Sequence, residues 1–82
     1  MGQDAWARAL LERAIELHRL VGDDHTRAVS LANLATVVAR QGNVAAGQAL
    51  LQQAIDLFEQ VGDADEKAKA IANLAHLTTG QN

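Results

Sequence analysis

The sequence predicts an all-α protein made of antiparallel helix-turn-helix units, an α-solenoid fragment of four helices in about two repeats. Three observations carry that expectation. The 82 residues are 49% hydrophobic but only 2% aromatic, rich in Ala and without Pro, and Ala is the strongest helix former while Pro is the strongest breaker. Apolar residues recur at helical spacing, as in Ala7, Leu10, Leu11, Ala14, Ile15 and Leu17. The chain also repeats itself at an offset of 40: Ala9-Leu10-Leu11 returns as Ala49-Leu50-Leu51 and Ala14-Ile15 as Ala54-Ile55. Likewise Val21-Gly22-Asp23 returns as Val61-Gly62-Asp63, and Ala32-Asn33-Leu34-Ala35 as Ala72-Asn73-Leu74-Ala75. Two Ala/Leu-rich segments can share apolar letters by chance. They do not also share a Gly-Asp turn and an Asn at one register, so the period marks a helical repeat.

One domain, residues 1–82, accommodates the chain, and its size lies near the lower limit for a core stable alone. The first helix is expected over about 4–21, stopped by Gly22 at a C′ position. The second runs over about 24–41, started by Asp23 or Asp24 and ended by Gly42. The third, over about 44–61, takes Asn43 as its N-cap. The fourth, over about 64–79, takes Asp63 as N-cap with Glu66 three residues on, a capping-box pattern, and fades near Thr78-Thr79-Gly80. Links of two to four residues make consecutive helices antiparallel neighbours. Leu31, Leu34, Ala35 and Val38 share one face of the second helix and form the expected core. Ala35 and Gly47 are expected to face each other between the second and third helices, because Gly inside a helix costs about 1 kcal/mol relative to Ala and its presence implies a steric need.

Leu34, Ala35, Val38, Gly42, Val44, Gly47, Leu51 and Ala54 resemble the tetratricopeptide repeat: a large then a small apolar residue in a first helix, Gly at the turn, small residues in a second. The period of 40 exceeds the usual length of about 34. Gly22-Asp-Asp-His-Thr-Arg-Ala28 followed by Leu31-Ala-Asn-Leu-Ala35 is similar to the long repeats of kinesin light chains and of bacterial signalling ATPases and regulators. On that resemblance the second and fourth helices are first helices of a repeat and the first and third are second helices. Ala46 and Gly47 depart from the pattern, and with so few aromatics they imply a thin core. The resemblance implies a non-catalytic scaffold that binds a protein or peptide in a concave groove lined by the first helices. Val29, Asn33, Thr36 and Arg40 form one stripe on the second helix, matched by Lys69, Asn73, His76 and Gly80 on the fourth. Asn33 and Asn73 then hold an extended peptide backbone, since an amide offers donors and an acceptor; the alternative is that each bonds a neighbouring turn. Arg40, Lys69 and His76 give the groove a positive end suited to an acidic peptide or a carboxylate, although the net negative second half favours reading them as solvated surface. The basic clamp of chaperone-binding members needs more Lys and Asn than this chain has.

The alternative function is self-assembly through uncapped end helices, using Trp6, Ala7, Leu10, Leu11, Ala14 and Leu17 at one end and Leu74 and Leu77 at the other. That reading makes the chain a homo-oligomer.

Other classes fit poorly. The net charge is −3 with a pI of about 5.4, the first 41 residues being neutral and the remainder acidic. No basic stripe supports nucleic-acid binding, and no stretch of this sequence reads as a membrane span, a signal peptide or a basic membrane anchor, so none is expected. Cys is absent, which removes thiolate ligands and nucleophiles and fits a cytoplasmic location. His18 shares its repeat position with Phe58 and is expected at a core edge, His25 assists a helix start, and His76 lies on the groove stripe. No two His stand four apart on one helix, so no zinc-helix motif occurs. Ser30 and His25 have no useful spacing or third partner for nucleophilic chemistry. Neither an enzyme nor a cofactor is expected.

Overall fold

The computed structural model describes residues 2–79. Among them are four helices and no strand: α1 (Gly2–Val21), α2 (Asp24–Arg40), α3 (Val44–Val61) and α4 (Ala64–Thr79). The helix α1 begins two residues before the expected start and α2 ends one residue early. Gly80, the last member of the expected stripe on α4, lies outside the described residues.

Three turns of one design separate the helices. At each, a Gly adopts the left-handed conformation, with φ of +79° at Gly22, +100° at Gly42 and +78° at Gly62, where any side chain would be strained. The Gly22 N–H donates to the Arg19 carbonyl at 3.3 Å and the Asp23 N–H to the His18 carbonyl at 2.9 Å, the paired bonds of a Schellman C-terminus. Gly42 with Asn43 and Gly62 with Asp63 repeat both bonds. The residue after each Gly then turns round to cap the next helix. Asp23 Oδ1 accepts from the Thr26 N–H, Asn43 Oδ1 from the Ala46 N–H and Asp63 Oδ1 from the Glu66 N–H, at 3.0–3.1 Å. One polar residue thus ends one helix with its backbone and starts another with its side chain. The expected capping box at Asp63 forms only by half. The Asp63 N–H is committed to the Phe58 carbonyl, and the Glu66 carboxylate receives Lys69 Nζ at 3.4 Å instead.

Such short turns reverse the chain, and cross-helix contacts fix the sense. Arg40 at the end of α2 reaches Asp4 at the start of α1, and Gln48 at the start of α3 reaches Thr78 at the end of α4. Consecutive helices are therefore antiparallel, and the principal contacts are α1 on α2, α2 on α3 and α3 on α4. The core belongs to the two inner helices. Ala28, Leu31, Leu34, Ala35, Val37 and Val38 of α2 are buried, as are Gly47, Leu51, Ala54, Ile55, Leu57 and Phe58 of α3. In α4 only Ala70 is buried and in α1 no described residue is.

The α2–α3 contact is close because its residues are small. A Cβ placed on Gly47 would stand 3.0 Å from the Ala35 carbonyl oxygen and 3.1 Å from the Ala39 Cβ, so Gly47 faces Ala35 as its spacing predicts.

Candidate functional site

The two Asn stripes come together across a groove. α2 and α4 flank it and α3 supplies its floor. In one cleft, of about 140 Å³, Val29, Ala32 and Asn33 of α2 face Lys69, Ala70 and Asn73 of α4, with the ring of Phe58 beneath. A neighbouring cleft of about 210 Å³ joins Thr36 of α2 to Asn73, His76 and Leu77 of α4 over Leu51. Asn73 borders both clefts. The helical period explains the convergence: each stripe advances by three or four residues per turn and stays on one face.

Asn33 and Asn73 are exposed, and among the described residues neither side-chain amide has a hydrogen-bond partner in the protein. The alternative in which each Asn bonds a neighbouring turn is thus not the arrangement found. Their carbonyl and NH₂ groups stand open to a ligand, above apolar surface formed by Val29 and Phe58.

The expected positive end is reduced. Arg40 is turned away from the groove to α1, where its guanidinium grips Asp4 through two bonds, at 2.7 and 3.3 Å. That contact holds the Asp4 carboxyl below its ordinary pKa and raises that of Arg40. Lys69 stays at the rim but shares its charge with Glu66. His76 is exposed beside the second cleft. Thr36 donates its hydroxyl to the Ala32 carbonyl at 3.4 Å, which occupies its proton but leaves oxygen lone pairs to the groove.

Sequence reasoning missed the floor. Phe58, Leu51, Ala32 and Leu77 all border the clefts, and the signal was available: Ala32 precedes Asn33, and Leu77 follows His76, at positions where a helix turns from its groove face to its core face. His25 also has an unforeseen partner. Its Nε2 lies 2.7 Å from Asp63 Oδ2 on the α3–α4 turn, and its ring meets Phe58 edge-on at 5.9 Å. Asp63 is held below its ordinary pKa first by the Glu66 backbone N–H and then by His25. His18 is half-buried.

The residues expected to self-associate divide into two sets. Trp6, Leu10 and Leu17 are exposed, whereas Ala7, Leu11 and Ala14 are half-buried. Leu74 and Leu77 pack against the core cluster and are also half-buried. Leu20, Val21 and Ile71 join the exposed apolar set instead.

Among the described residues no three His, Asp or Glu side chains converge as a metal site, and no helix is long and apolar enough to cross a membrane. Compared with protein-family models, with curated proteins and with solved structures, the chain matches none.

Proposed function

We propose that this chain is a non-catalytic protein-interaction module of tetratricopeptide type, which holds an extended segment of a protein partner in the groove between α2 and α4. One observation carries the reading: Asn33 and Asn73, one repeat apart, stand open on opposite banks of a cleft floored by Phe58. An extended strand presents backbone N–H and C=O groups at short, regular intervals, and two side-chain amides can pair with both kinds of group. The apolar floor takes alternate side chains of such a strand. Polar groups few in number above an apolar surface are the usual composition of a binding cleft. Among the described residues the hydroxyl bordering the clefts, that of Thr36, donates to the Ala32 carbonyl and not to His76, which supports binding over nucleophilic chemistry. In this reading α2 and α4 are the first helices of successive repeats, and α1 and α3 the second helices.

The test is selection of peptides from a random displayed library on the parent protein, followed by titration of the selected peptides against Asn33→Ala/Asn73→Ala. The double variant should keep its helicity and bind at least about tenfold more weakly, since each lost hydrogen bond is worth roughly 0.5–1.5 kcal/mol. Unchanged affinity removes the groove from consideration, and loss of helicity makes the two Asn residues structural.

A further inference from the structure

We propose that α4 of one molecule docks on α1 of a second copy of this chain, in the register that α2 holds on α3. The inference is independent of the peptide groove and uses the opposite sides of the end helices. Its basis is the offset of 40, which makes α1 the image of α3 and α4 the image of α2. The α2–α3 contact therefore displays within one molecule how the two outer helices fit each other.

The images match in chemistry as well as position. Around one small cavity, Arg27 and Leu31 of α2 meet Asp56 and Leu57 of α3. Their images are Lys67 and Ile71 on α4, and Glu16 and Leu17 on α1. Each contact thus sets a cation and a carboxylate beside one cavity and one branched apolar residue beside another, although Arg27 itself bonds Asp24 and Asp56 accepts from Gln52. Leu31 and Leu57 are each 6% exposed, whereas Ile71 is 47% and Leu17 61% exposed. The register would cover Leu17 and Ile71 but not Val21, whose image Val61 stays 38% exposed. On α4, Ala68 and Ala75 are exposed while their images Ala28 and Ala35 are fully buried. On α1, Leu10 and Leu20 extend the same apolar edge as Leu17. Lys67 is paired with Glu59 and Glu16 with Arg19 in the single molecule. Such exposed pairs are weak and exchange partners readily. The residues of α1 and of α4 each sum to zero formal charge, so no like-charge repulsion opposes the contact.

One difference sets its strength below that of the internal contact. Ala7 stands where α3 has Gly47, and Thr79 where α2 has Ala39. The clearance at Gly47 is already 3.0–3.1 Å, so the extra methyl groups hold the two chains further apart at that end. The contact is heterologous, and its repetition leads to a ring or a filament according to the rotation per copy.

The chain has no Cys, so Leu17→Cys and Ile71→Cys can be made separately at exposed positions, mixed, and treated with a short bis-maleimide. The mixture should give covalent dimers linked between positions 17 and 71 at several times the yield of either variant alone. Light scattering of the parent should show a molar mass that rises above 8.7 kDa as concentration increases from micromolar towards millimolar. Leu17→Glu should raise the dissociation constant at least about tenfold with the helical circular dichroism of the dilute protein unchanged. A constant mass of one chain over that range overturns the proposal. So do links between two copies of position 17, or of position 71, that form as readily as the mixed link.

Discussion

Leu17 and Leu57 hold one position in the 40-residue repeat, inside the closely related stretches Ala14-Ile-Glu-Leu17 and Ala54-Ile-Asp-Leu57. One is 61% exposed and the other 6%. The same contrast separates Ile71 on α4 from Leu31 on α2. What differs is the number of neighbours: α2 and α3 each have a helix on two sides, whereas α1 packs chiefly on α2 and α4 on α3. Burial in this chain is a property of place in the row of four helices, and the local letters only permit it.

The sharpest way to break this comparison is to make the same substitution at both places. Leu57→Ala removes a buried side chain from the core cluster and should cost about 2–5 kcal/mol. Leu17→Ala, measured in dilute solution, should stay within about 0.5 kcal/mol of the parent. Urea unfolding followed by circular dichroism reads both values. Equal costs would mean that α1 is as well covered as α3, and the division into inner and outer helices would be wrong.

A smaller effect is expected at the close approach of α2 and α3. Gly47→Leu must push a branched side chain against a backbone oxygen and the Ala39 methyl, which should destabilise by roughly 1–3 kcal/mol. The same change at the image position, Ala7→Leu, meets no second helix on its outer side and should cost less. A Gly47→Leu protein that melts at or above the parent temperature would show that the contact has slack.

The helices were legible because their punctuation is chemical. Gly22, Gly42 and Gly62 permit a left-handed backbone, and Asp23, Asn43 and Asp63 carry capping oxygens, so boundaries followed to within two residues. The convergence of Asn33 and Asn73 was legible too, since helical period and repeat offset suffice to place them on matching faces. The fate of Arg40 was not. Its partner Asp4 occupies the position where the second copy has Val44, and a departure from the repeat cannot be read from the repeat. The His25–Asp63 contact failed to appear for a related reason: His25 aligns with Asp65, so neither copy foretells the pair. That α1 is an uncovered end was legible, but not which residues bear the exposure: Trp6, Leu10 and Leu17 are exposed while Ala7, Leu11 and Ala14 are half-buried.

The smallest expected effect distinguishes the turns themselves and is read through acid. Asp23 and Asp63 occupy equivalent turns, and both carboxyls are held below the ordinary value of 3.8. For Asp23 the first cause is the Thr26 backbone N–H. For Asp63 it is the Glu66 backbone N–H, and the side-chain bond from His25 adds to it. A carboxyl whose pKa is depressed by folding stabilises the folded chain fully above its unfolded value. That contribution disappears as pH falls through the lower, folded value. Acid melting should therefore steepen below about pH 4, the ordinary carboxylate range. Asn43 provides the comparison within the chain, since its amide caps α3 with the same geometry and does not titrate. Asp23→Asn and Asp63→Asn copy that solution and should each flatten the dependence of melting temperature on pH in the acid range. Each carboxyl has a backbone and a side-chain partner, but the change should be larger for Asp63→Asn, because its side chain is only 27% exposed whereas Asp23 is exposed. Should Asp63→Asn reproduce the parent's acid profile, Asp63 does not contribute to the loss of stability in acid, and the difference between the two turns is geometric without being energetic.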